Sequence, residues 1–203
     1  MKLVRGLRSL ASPKTKHGSE QHGGAVSFQS QGCVATIGNF DGVHLGHNVI
    51  IEQVKEKALA LGVPSVVVVF EPQPQEYFRQ SDAPARLMCF REKLVELQAI
   101  HVDYLVCLRF NDQLHEMSAT QFIEQVLVTG LNIKHLVIGD DFRFGCDRTG
   151  DFSLLSKMGH AFIDQDKGYT VENTRTVELE GDRVSSTRVR RALDSSQFAQ
   201  AER

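Results

Sequence analysis

A chain of 203 residues can bury a substantial core, and one domain is the default expectation. Apolar residues make up 41% and charged residues 24%, and no apolar run approaches the roughly 20 residues of a membrane-spanning helix. The net charge of −2 gives no general pull toward nucleic acid or an anionic membrane, so neither is expected as a partner and any anion binding must be local.

Met1 to Ala11 mixes Lys2, Arg5 and Arg8 among its leucines and lacks the unbroken apolar stretch of a signal peptide. Residues 12–30 are rich in Gly, Ser, Gln, Lys and His and read as a flexible segment, with His17 and His22 solvated. Residues 33–38 predict a short strand. Val49, Ile50, Val54, Ala58 and Leu61 recur at helical spacing, which predicts a helix over 46–61 stopped by Gly62. Val66 to Val69 mark 65–70 as a strand buried on both faces. The pattern then predicts a helix over 90–100, a strand over 103–108, and a helix over 118–128 capped by Ser118. Strands follow at 134–138 and 170–179, and a last helix at 186–193. Strands separated by helices indicate an α/β fold with a parallel sheet, in which ligands bind beyond the carboxyl ends of the strands. The loops after Ile37, Phe70, Leu108 and Ile138 should therefore meet at one edge.

The four cysteines, Cys33, Cys89, Cys107 and Cys146, form no CxxC pair, so neither a zinc ribbon nor a redox motif is indicated. Three sit in apolar surroundings and are expected to be small buried hydrophobes, a usage that fits the reducing cytoplasm.

The chemistry concentrates in Thr36-Ile37-Gly38-Asn39-Phe40-Asp41-Gly42-Val43-His44-Leu45-Gly46-His47, at a strand-to-helix junction. Such a junction presents unpaired N–H groups and the positive end of a helix dipole, which suits phosphate. His44 and His47 add side-chain donors, and a side chain at Gly46 would block a ligand's approach. Two imidazoles three apart could also pair on a metal, but no third ligand stands at a suitable spacing, and no metal site is assigned. The fingerprints GxGxxG, GxxxxGK[ST] and GxSxG are absent, so the phosphate site is of another kind.

Ser185-Ser186-Thr187-Arg188-Val189-Arg190 is the second constellation. One hydroxyl suffices for a cap; the others, with Arg183, Arg188 and Arg190, supply phosphate donors. Arg190 lies four residues after Ser186, on the same helical face. Gly139-Asp140-Asp141-Phe142-Arg143-Phe144-Gly145 offers rings that could stack on a flat ligand and acids that could approach Mg²⁺, or else a turn flanked by core phenylalanines. Glu71-Pro72-Gln73-Pro74 reads as a stiff loop, able to wall a pocket or simply shape the surface.

These segments, in this order, resemble the N-terminal adenylyltransferase module of the bacterial bifunctional riboflavin kinase/FAD synthetase family, over nearly the whole chain. GNFDGVHLGH is similar to the HxGH signature of nucleotidylyltransferases; FEPQP, RFN, GDDFRFG and RVSSTRVRRAL match the family's other segments. The resemblance implies a Rossmann-like nucleotidylyltransferase α/β/α sandwich and the reaction of ATP with FMN to give FAD and pyrophosphate, with Mg²⁺ accompanying ATP. It implies catalytic contacts to phosphate from His44, His47, Ser186, Thr187 and Arg190. It places Gly38, Asn39, Phe40, Asp41, Gly42, Gly46, Asp141 and Arg183 beside ATP, and Phe70, Pro72, Pro74, Asn111 and Phe142 beside the flavin. Gln73 stands where many members carry His, and Asp141 where some carry Asn. The family normally continues into a riboflavin kinase module, and no kinase activity is expected of these residues. A nucleotidylyltransferase acting on nicotinamide mononucleotide or phosphopantetheine is the alternative enzyme; a non-catalytic flavin- or nucleotide-binding regulator is the alternative class.

Overall fold

The computed structural model describes residues 1–11, 31–139, 141–175, 178–179 and 182–202; the segment 12–30 and Asp140 lie outside the described residues. In chain order the first elements are β1 (Lys2–Arg5), α1 (Leu7–Ala11), β2 (Cys33–Ile37), α2 (Leu45–Leu61), β3 (Ser65–Glu71) and α3 (Pro74–Arg79). They continue through α4 (Phe90–Ala99), β4 (Tyr104–Arg109), α5 (Asp112–His115), α6 (Ala119–Phe122), β5 (Ile133–Ile138) and α7 (Phe152–Ala161). The last are β6 (Thr170–Asn173), the short antiparallel pair β7 (Glu178–Leu179) and β8 (Asp182–Arg183), then α8 (Ser186–Asp194) and α9 (Phe198–Glu202).

Strands β1 to β6 form one all-parallel sheet in the order β1-β4-β3-β2-β5-β6. Its strands are continuous apolar runs because helices cover both faces. Along β3, Val66 and Val68 enter one core cluster with α6 and Leu155 of α7, while Val67 and Val69 enter another with Ile51 of α2 and Leu97 of α4. The strand-order walk from β2 runs one way through β3 and β4 and the other way through β5 and β6. Crossovers diverge at such a switch point and leave a crevice beyond the strands' carboxyl ends.

Several sequence expectations are corrected. Met1 to Ala11, which carried no secondary-structure expectation, supplies an edge strand and a helix turn, with Val4 and Leu10 buried and Lys2, Arg5 and Arg8 exposed. The stiff loop expected over Glu71–Pro74 narrows to Pro72 and Gln73: Glu71 still belongs to β3, and Pro74 opens α3, with reciprocal Gln73–Glu76 capping bonds. The helix capped by Ser118 widens to π-helical geometry over Ile123–Gly130, beyond the expected end at 128. The strand expected at 170–179 pairs in the sheet only as far as Asn173, and Glu178–Leu179 turns to β8. Helix α7 carried no expectation; Asp151 caps it by accepting from the Leu154 amide at 2.8 Å. Only Cys33 and Cys107 are buried, while Cys89 and Cys146 are exposed, so two cysteines and not three serve as buried hydrophobes.

Candidate active site

A cleft of about 700 Å³ opens at the switch point, lined by the ends of β2, β3, β5 and β6 and by the start of α8. From β2 and the turn after it come Thr36 to Asp41, with His44, Gly46 and His47 at the head of α2. This helix has no side-chain cap; the His47 amide turns back to the His44 carbonyl at 2.8 Å, and the positive end of the helix dipole lies at the cleft. The turn is strained: Phe40 has φ 47° and Val43 φ 36°, left-handed values costing on the order of 1–3 kcal/mol each for bulky side chains. Such values persist only where the surroundings enforce them.

The His44 and His47 rings stack with centroids 3.7 Å apart, and the buried Phe40 ring packs on His47 at 4.8 Å. Burial pushes His47 down to about 3, with the positive charge of His44 and of Lys93 acting in the same direction. Burial also lowers His44 to about 4, against the attraction of Asp41. Both rings are therefore neutral at pH 7. Each Nδ1 is buried without a hydrogen-bond partner, which favours the tautomer carrying its proton on Nε2. At Gly46 an added Cβ would lie 3.2 Å from the His44 ring and 3.3 Å from the Val184 carbonyl, so this glycine lets α2 approach the segment before α8.

Asp41 is 2% exposed and forms a hub. Its carboxylate accepts from the Leu87 and Met88 amides at 3.1 and 3.2 Å and from the Arg190 guanidinium. Its carbonyl accepts from Ser186 Oγ at 2.8 Å, and Arg190 Nε also donates to the Ala85 carbonyl at 2.7 Å. Ser186 and Arg190 thus share a face, as their spacing predicts, and both meet Asp41. Ser185 is the cap, accepting from the Arg188 amide at 3.3 Å, which leaves Ser186 and Thr187 at the cleft. Asp41 lines the cleft, as expected of a residue in this turn, with its carboxylate turned to these partners.

Of the flavin-side candidates, Phe70, Pro74 and Phe142 line the cleft, and Gln73 and Gln75 join them. Pro72 follows a cis peptide bond and does not line the cleft. The Asn111 side chain caps α5 by accepting from the Leu114 amide at 3.2 Å, and Asn111 is not among the residues that line the cleft. In the same loop, the Phe110 ring meets the cleft-lining Phe70 edge-on at 5.9 Å. Phe142 stacks on the buried Phe144 at 5.4 Å, so one ring faces the cleft and the other belongs to the core. Asp141 lies on the cleft; the Arg183 side chain lies outside the described residues. Gly42, with φ 88°, borders a neighbouring groove that also touches His44.

Arg143, Arg148, Thr174 and Arg175 also line the cleft, and sequence reasoning did not assign them to it. For Thr174 and Arg175 the signal was their place just past a parallel strand. Gln53, buried in α2, fixes that loop: it accepts from the Arg175 amide at 3.1 Å and donates to the Asn173 carbonyl at 3.0 Å. Among the described residues, no group of three or more His, Cys, Asp or Glu could hold a metal ion.

A solved structure described as a macrolide-efflux protein from Streptococcus pneumoniae superposes with a TM-score of 0.70 over 98% of this chain and 59% of that one. Its 21% identity speaks for the fold alone. The chain is 49% identical, over its whole length, to a bifunctional riboflavin kinase/FMN adenylyltransferase of Pseudomonas fluorescens and 42% identical to that of Escherichia coli K12. A Haemophilus influenzae protein of the same name is 44% identical over 85% of the chain. The chain spans 58% of the length of the first two relatives. The FAD synthetase family profile matches residues 27–188, so the chain belongs to the FAD synthetase family.

Proposed function

We propose that the chain transfers the adenylyl group of MgATP to FMN, giving FAD and pyrophosphate. The observation that carries this reading is the meeting, in one cleft, of the His44–His47 helix head with Ser186, Thr187 and Arg190, across from Phe70 and Phe142. The relatives' printed names point to the same acceptor and the same transferred group.

In this reaction an FMN phosphate oxygen attacks the α-phosphorus of ATP. A new P–O bond forms as the α–β bridging bond breaks, and pyrophosphate leaves with the electron pair. The attacking phosphate is already anionic at neutral pH, so no general base is needed. The neutral His44 and His47 imidazoles donate through Nε2–H to the α-phosphate as its charge develops, beside the α2 amides. Ser186 Oγ and Thr187 Oγ1 bind the departing phosphates, and the Arg190 guanidinium exchanges part of its Asp41 contact for them. Magnesium accompanying ATP supplies charge neutralisation on those phosphates.

The test is to incubate the chain with MgATP and FMN, riboflavin or nicotinamide mononucleotide, and to measure pyrophosphate and FAD. Equal amounts of pyrophosphate and FAD are expected with FMN alone, since riboflavin lacks the attacking phosphate. Substituting His47→Ala is expected to lower the rate about 10²-fold with the fold retained, the scale of losing one charge-stabilising donor. No FAD above blank, or a faster reaction with the nicotinamide nucleotide, overturns the assignment.

A further inference from the structure

Lys93 lies in the first turn of α4, the helix whose Leu97 enters the cluster with Phe40, Val67 and Leu105, and is 1% exposed. A lysine is almost never buried this far unless a partner holds its ammonium. Here Nζ donates to the Asn39 carbonyl at 2.6 Å, inside the turn that carries the candidate phosphate site. We infer that Lys93 is a positioning residue of this active site, whose ammonium anchors the Asn39 carbonyl and so holds the left-handed bend at Phe40 that seats His47 on the cleft. The inference rests on the adenylylation proposed above and deepens it.

The turn is gripped from beneath at two adjacent points. The Leu87 and Met88 amides hold the Asp41 carboxylate, and Lys93 holds the carbonyl two residues earlier. Phe40 lies between those two grips with φ 47°. Its side chain is fixed in the core at one end and against the His47 ring at the other. Releasing the Asn39 carbonyl frees the peptide plane that sets the Phe40 backbone, and the His47 ring turns with it. The ammonium also contributes charge: it disfavours a proton on His47, while Asp41 and Glu71 sustain the ammonium against its own desolvation. None of the cleft-lining side chains is Lys93, so its influence on bound phosphate passes through the turn and through the field.

The experiment compares the wild-type chain with Lys93→Met and Lys93→Gln, checking each fold by circular dichroism. It measures kcat and KM for FMN, and the titration of the His47 imidazole by NMR. Folded Lys93→Met is expected to lose at least about tenfold in kcat, the effect of a misplaced catalytic group, with KM for FMN within about twofold. Its His47 is expected to titrate at higher pH. Lys93→Gln, which removes the charge but keeps a donor, guards against a Met variant that does not fold; its His47 also titrates higher. A folded variant with kcat within twofold of wild type and an unmoved His47 titration overturns the inference. If the wild-type chain forms no FAD, the proposed reaction fails on its own, and the Phe40–His47 ring contact, read by NMR in folded Lys93→Met, still decides the role of Lys93: its loss supports the inference and its retention overturns it.

Discussion

Burial keeps His44 and His47 neutral far below the pH at which a free imidazole charges. In the unfolded chain both bind protons near pH 6.5; in the fold they resist until about 4 and about 3. Between these limits the unfolded state binds more protons, so stability rises with pH there and is lost as pH falls below about 6.5. Urea midpoints measured from pH 7 to pH 4.5 should therefore decline, and the decline should be shallower in a His44→Asn, His47→Asn double variant. Equal slopes would show that the two rings do not carry this linkage. Both histidines were legible in sequence because their spacing and glycines fit a strand-to-helix junction. Lys93 was not, although it shares a helical stripe with Phe90 and Leu97; a charge on an apolar stripe is the signal that could have found it.

Between elements, close packing falls on a few glycines. Gly159 in α7 is buried where the helix passes Tyr169, just before β6, and an added Cβ would stand 2.4 Å from the Tyr169 carbonyl. A backbone atom cannot rotate aside as a side chain can, so the helix must move. Gly159→Ala is expected to destabilise the fold by about 1–3 kcal/mol, seen as a lower melting temperature, while the proposed FMN adenylylation persists at low temperature. An unchanged melting temperature would mean that the helix shifts without penalty. Helix α7 escaped sequence reasoning because its Ser153, Ser156 and Gly159 weaken the helical pattern and a turn-rich loop precedes it. The central strands were legible because a strand covered on both faces must be apolar throughout. The break after Asn173 was not, since β-branched alternation continues beyond the point where the sheet ends.

At the scale of the molecule, Asp41 joins segments far apart in the chain: the turn after β2, the Leu87–Met88 amides and the face of α8. If this hub ties the site to the fold, Asp41 and Arg190 are energetically coupled. Unfolding free energies of Asp41→Asn, Arg190→Met and the double variant should differ from additivity by about 1–3 kcal/mol, as for side chains in direct contact. Additivity to within about 0.5 kcal/mol would show that the contact ties nothing together.

The amino-acid order alone determined the α/β class, the parallel sheet and the two motifs that line the cleft, because these follow from local periodicity and from residue types adjacent in the chain. It could not determine that Phe110 packs edge-on against Phe70, that Asn111 caps a helix, or that the Asp41 carboxylate meets Arg190. Those outcomes depend on which strand lies beside which and on which buried polar group finds its partner, and such partners are brought together only when the whole chain has folded.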